Sequence, residues 1–78
     1  MENKQQLRKP QMNEIYRHFK GNLYRIVTLA IDAKTQEELV VYQALYGTQE
    51  LWVRPAEMWH ETVEREDYRG PRFLYIGE

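Results

Sequence analysis

The 78-residue sequence contains no cysteine and no serine, and it is sparing with glycine (four) and proline (three). Without Cys there is no disulfide, no thiolate nucleophile and no Cys-based zinc site. That excludes the staples of tiny secreted domains and makes a reducing cytoplasm the expected setting. Long apolar runs are also lacking. The longest near-apolar stretch, Ile26 to Ile31, contains Thr28 and stops at Asp32, too short for a signal-peptide core or a membrane span. A soluble protein with no membrane partner is expected. No charge predominates either: the formal net charge is -1, which argues against a dedicated nucleic-acid binder held by counterion release.

What charge there is divides unevenly along the chain. Residues 1–31 hold six Lys or Arg against two Glu, a net +4, while residues 32–78 hold five against ten Asp or Glu, a net −5. Such asymmetry suits a nucleic-acid patch, a partner surface or plain solvated surface. At this length the chain makes one domain, and folding buries only about 60% of the surface the unfolded chain exposes. A core that small needs its aromatic residues inside.

The period of the apolar residues points to strands. Met1 to Gln11 is polar and charged apart from Leu7 and ends near Pro10; a flexible tail is expected over residues 1–12 and a single small domain over 13–78. Ile15 to Phe19 alternates as a half-buried strand, and Gly21-Asn22 is a hairpin signal. Leu23 to Ile31 is β-branched and aromatic and reads as a long strand. Asp32 to Glu38 is a polar loop, "LVVYQALY" a strand covered on both sides for part of its length, and Gly47 to Glu50 a second hairpin connection. "LWVRP" returns and stops at Pro55. A single helical turn and then a strand are expected in "PAEMWHETVE", a charged turn in "EREDYRG", and a last strand over Arg72 to Ile76. Five to six short strands in so short a chain predict an all-β fold, a small, strongly bent barrel with at most one helical turn.

Taken in order, "YRHFKGNLYRIV", "LVVYQALYG", "LWVRPAEMW" and "PRFLYI" resemble the bacterial family catalogued as domain of unknown function 1653, over roughly Tyr16 to Ile76. The resemblance implies an SH3-like small barrel in a stand-alone bacterial cytoplasmic protein. It implies no activity, so no catalytic residue is carried over. Two departures stand out. Asp32, Ala33, Lys34 and Thr35 occupy the place of a His-Thr-Glu-Thr-like run, and Met58 is followed by Trp59 where the family has Phe.

Candidate site residues come from two constellations. In "RHFKG", His18 and Lys20 flank a turn that could hold an anion, or they simply end a surface strand. Tyr42, Gln43, Tyr46, Trp52 and Arg54 combine aromatics with an amide and a guanidinium, as stacking platforms do. Period two separates them, with Gln43 on the face of Leu39, Val41 and Leu45, and Tyr42 and Tyr46 on the face of Val40 and Ala44. If the Tyr face is core, Gln43 and Arg54 are the outward groups. The two then face solvent, face a groove, or make a buried pair with an acid such as Glu57 or Glu61. His60 and Glu64 have i, i+4 spacing, but two ligands do not make a metal site. With no activated nucleophile and no Gly-rich phosphate loop, neither catalysis nor a cofactor nor a metal is expected. The expected function is a binding or adaptor module for a protein or peptide, using His18, Lys20, Gln43, Trp52 and Arg54. Single-stranded RNA binding is the first alternative, and a small-ligand or enzyme site at the barrel mouth the second.

Overall fold

In the computed structural model, which describes residues 9–78, seven strands and one helical turn follow the order β1 (Ile15–His18), β2 (Leu23–Ile31), β3 (Glu38–Ala44), β4 (Leu51–Pro55), α1 (Ala56–Trp59), β5 (Thr62–Arg65), β6 (Tyr68–Pro71) and β7 (Phe73–Gly77). The flexible tail expected over residues 1–12 falls mostly outside the described residues. From Pro10 onward the chain is tied in: Pro10 is buried, and the Asn13 amide donates to the Ile26 carbonyl at 2.8 Å.

Five strands form one antiparallel sheet in the order β4-β3-β2-β1-β7, and β5 pairs with β6 alone. The fold is therefore all-β, with the ladder open at β4 and β7 and α1 packed against β3 and β4. Local chemistry explains most of the connections. Gly21, at φ 112°, turns β1 into β2 by donating to the His18 carbonyl at 2.7 Å, a conformation glycine reaches without steric cost. Pro55 closes β4 and starts α1, where a missing amide hydrogen goes unnoticed.

Two strand readings change. "EREDYRG" is not turn throughout: only Glu66 and Asp67 form the turn, and Tyr68–Pro71 pairs with β5, Thr62 lying opposite Pro71 and Arg65 opposite Tyr68. The strand count thus rises from the expected five or six to seven. Beta-2 also carries a register shift between Ile26 and Thr28. One extra residue, Val27, flips the parity, so Tyr24 and Ile26 face inward before it and Leu29 faces inward after it.

The core is largely aromatic. Tyr16, Ile26, Val40, Tyr42, Trp59 and Phe73 form one buried cluster. Trp59 lies flat on Phe73, with ring centroids 3.9 Å apart and planes at 1°, and meets Tyr42 and Tyr16 edge-on at 5.0 and 5.4 Å. Both the stacked and edge arrangements are favoured by ring quadrupoles, contributing roughly 0.5–1.5 kcal/mol per pair beyond the area they bury. Of the two tyrosines expected in the core, Tyr42 is there, while Tyr46 is exposed.

Candidate binding face

The inner face of the sheet continues past the core to a rim where cations and rings meet. Cross-strand register sets Tyr16 opposite Tyr24, Ile26 opposite Tyr42, and Tyr42 opposite Trp52; Val40 lies opposite Arg54, and His18 opposite Phe73. His18, Trp52 and Arg54 therefore share one face of the sheet. Arg54 is not an outward group, as its pairing with Tyr42's face would require. Its Nε donates to the Tyr42 hydroxyl at 3.4 Å, and its guanidinium carbon sits 5.4 Å from the centre of the Phe73 ring. Neither Glu57 nor Glu61 pairs with it. Glu61 is taken by Arg72, whose Nη2 and Nε lie 3.0 and 3.2 Å from Glu61 Oε1, because the Arg72 amide is already bonded to the Glu61 carbonyl at 2.9 Å. Among the described residues Arg54, half-buried, has no ion pair.

His18 is half-buried beside Phe19, Phe73 and Tyr24, at 4.6, 5.1 and 6.4 Å between ring centroids. Its Nδ1 accepts the Lys20 amide at 3.1 Å, which leaves the proton of the neutral ring on Nε2. Burial lowers its pKa from 6.5, and the positive charges of Arg72, Arg54 and Lys20 lower it further. Lys20 itself is exposed in the hairpin, its Nζ 6.0 Å from the Phe19 ring centre.

Trp52 and Tyr46 are exposed at the far end of the face and line a cleft of about 170 Å³ with the Gly47–Glu50 connection. The Tyr46 and Tyr24 hydroxyls lie 2.9 Å apart, and burial together with that hydrogen bond pushes the Tyr24 phenol up to about 12. Gln43 is not brought to this face. It points from the opposite side of β3, where its amide donates to the Gln49 carbonyl at 3.1 Å and ties the hairpin. Sequence reading missed Tyr24 and Phe73 as members of the face. Tyr24 was not legible, since a two-residue turn at Gly21-Asn22 would set it opposite Phe19; the observed turn spans Phe19 to Gly21, with the His18 amide donating to the Asn22 carbonyl at 2.8 Å, and sets Tyr24 opposite Tyr16.

A larger cleft, of about 430 Å³, opens where the β2–β3 loop meets α1, with Glu37, Glu38, Glu57 and His60 in its lining. Lys9 pairs with Glu38 there at 3.0 Å. Among the described residues no three His, Asp or Glu side chains converge as metal ligands do, and no helix is long and apolar enough to cross a membrane.

These features define a small all-β domain with a cation-bearing aromatic face beside its core. The chain belongs to the family described as "Protein of unknown function (DUF1653)", whose model matches residues 14–75. Its fold is similar to the crystal structure of a DUF1653 protein from Bordetella bronchiseptica, at a TM-score of 0.77 and 36% sequence identity, over 94% of this chain and 92% of that one. No curated protein matches the chain.

Proposed function

We propose that the protein is a non-catalytic binding module whose inner-face rim takes a carboxylate-bearing segment of a partner protein or peptide. The observation that carries this reading is Arg54: half-buried, stacked over Phe73 and without an acid among the described residues. Partial desolvation of a guanidinium costs several kcal/mol when no anion compensates, and a cation–π contact returns only about 0.5–2 kcal/mol. A carboxylate offers the fork geometry that its free nitrogens match. Trp52 and Tyr46 supply rigid exposed rings beside it, the residue types that dominate recognition energetics. Lys20 extends the positive rim, and His18 adds a neutral imidazole whose Nε2–H can donate.

The alternative of single-stranded RNA draws on the same rings and cations. It is the weaker reading because one unpaired Arg and one exposed Lys form a short patch, and the second half of the chain is acidic. An amide NMR titration separates the two, using a short Asp/Glu-rich peptide and a mixed short single-stranded RNA at low and at physiological salt. Shifts at Tyr24, Trp52 and Arg54 with the peptide, lost in Arg54→Gln, are the expected result. Salt-dependent shifts with RNA alone replace this reading by the nucleic-acid one, and a well-dispersed spectrum unmoved by either ligand overturns both.

A further inference from the structure

Beta-4 is an edge strand with little protection. Leu51, Trp52 and Val53 are consecutive and exposed, at 63, 47 and 58%, and no lysine or bulge interrupts them before Pro55. Such an edge is a template for another strand. What that strand could be follows from the backbone and from the order of the side chains.

The backbone decides which groups are open. The Ala44 amide donates to the Glu50 carbonyl at 3.0 Å, and the β3–β4 register runs on in step, with Tyr42 opposite Trp52 and Val40 opposite Arg54. In an antiparallel ladder hydrogen-bonded pairs alternate with non-bonded ones. Glu50, Trp52 and Arg54 thus turn their amides and carbonyls toward β3, while those of Leu51 and Val53 point away from the sheet. A new antiparallel strand must engage Leu51 and Val53.

The side chains then identify a strand that fits. "ELWVR", Glu50 to Arg54, reads acid, aliphatic, aromatic, aliphatic, base, and it is complementary to itself when reversed about Trp52. A two-fold axis at Trp52 sets Leu51 opposite Val53 of the second copy, and Val53 opposite its Leu51, giving four backbone hydrogen bonds. Trp52 meets its own copy at the axis. Glu50 and Arg54 fall opposite each other twice, as non-hydrogen-bonded pairs in which side chains approach most closely. Moving the axis to Val53 would set Leu51 opposite Pro55, which has no amide to donate, and would separate the charges. Neither Glu50 nor Arg54 has an ion pair among the described residues. Beta-7, the other edge, carries no charge from Phe73 to Gly77 that could fix a register.

We infer that β4 is a self-association edge: two copies of this chain pair β4 to β4 about Trp52, held in register by reciprocal Glu50–Arg54 ion pairs. The contact is isologous and closes on itself, so it yields a dimer and not a fibre. One strand pair buries far less than the roughly 1,200–2,000 Å² of a stable interface, so the dimer is weak and concentration-dependent. This inference does not depend on the proposed ligand, and it is tested without one.

Sedimentation velocity over a concentration series reads it directly. The expected result for the unmodified protein is a reversible monomer–dimer equilibrium. Glu50→Arg sets like charges opposite each other twice and weakens the dimer at least about tenfold. Arg54→Glu does the same, and an equimolar mixture of the two variants recovers a heterodimer, since both cross-strand pairs become opposite in sign. Because Arg54 also touches Tyr42 and Phe73, Val53→Lys serves as a second variant; it charges the exposed edge without touching the core and abolishes the dimer. A protein that stays monomeric at every concentration overturns the inference. So does a dimer indifferent to both Glu50→Arg and Val53→Lys, or a mixture that fails to recover while each variant alone remains folded by amide NMR.

Discussion

Trp59 offers a quantitative test of how this core is built. Its side chain is 1% exposed, stacked on Phe73 and edge-on to Tyr16 and Tyr42, yet its indole Nε1 is buried with no hydrogen-bond partner among the described residues. The Trp59→Phe variant keeps one six-membered ring on Phe73 and removes the rest of the indole. The lost apolar portion, worth two to three methylene groups, costs roughly 1.5–2.5 kcal/mol at about 0.8 kcal/mol each. Removing a buried N–H that has no acceptor returns about 1–3 kcal/mol. The two effects nearly cancel, and the expected net change lies within about 1 kcal/mol of zero. Trp59→Ala forfeits the rings altogether and should cost about 3–5 kcal/mol, a large part of the stability of a domain this size. Urea unfolding followed by far-UV circular dichroism measures both, with the midpoint carrying the stability and an unchanged slope confirming a common unfolded state. A Trp59→Phe variant as damaging as Trp59→Ala would show that the unpartnered indole N–H is no liability in this core.

Three further outcomes follow from local geometry. His18 should titrate below 6.5 by NMR of its ring protons, and Arg54→Gln should raise the midpoint by removing one of the charges that hold it down. The unfolded chain takes up this proton first, so the fold loses stability as pH falls from above 6.5 through the lowered value; a midpoint at or above 6.5 contradicts the arrangement. Asp32 Oδ1 accepts the Lys34 and Thr35 amides at 2.8 and 3.1 Å, and those bonds, Thr35's foremost, lower its pKa from 3.8. Their contribution is present above 3.8 and lost as pH falls through the lowered value, so Asp32→Ala should speed hydrogen exchange at both amides near neutral pH and Asp32→Asn should restore protection. A Cβ on Gly70 would lie 2.9 Å from the Tyr68 hydroxyl, which donates to the Pro71 carbonyl at 2.7 Å. Gly70→Ala and Tyr68→Phe should each cost about 0.5–1.5 kcal/mol through that hydrogen bond, and the double variant should cost less than the sum.

The elements most legible in the sequence are those whose local chemistry and tertiary role agree. Beta-2 and β4 match their expected spans, because β-branched and aromatic runs end at turn residues or proline. The short helix after Pro55 is equally local. Beta-6 is different. Tyr-Arg-Gly-Pro has little strand character of its own and becomes a strand because a two-residue turn folds it onto β5, where Val63 is buried. The loop at Asp32, read as a polar connection where the chain departs from the family's run, is closed by the carboxylate itself as an Asx turn.

The site was less legible, for a reason that β4 makes plain. Period two divides this strand into an aliphatic face, Leu51 and Val53, and a mixed face, Trp52 and Arg54. Hydropathy assigns the aliphatic face to the core, yet that face is open and the mixed one is turned inward. The choice is made by residues remote in sequence: Tyr16, Trp59 and Phe73 converge on Tyr42, and once Tyr42 faces inward the register carries Trp52 and Arg54 with it and leaves Gln43 outside. Arg54 is tolerated there because it lies at the rim, with Phe73 beneath it and the Tyr42 hydroxyl accepting one of its donors. The same register leaves β4 with an open edge of Leu51 and Val53 amides flanked by Glu50 and Arg54. A strand that turned its aliphatic face inward would have buried the edge's apolar residues and exposed its charges together. Turned as it is, it keeps an unpaired cation against a ring on one side and a self-complementary edge on the other.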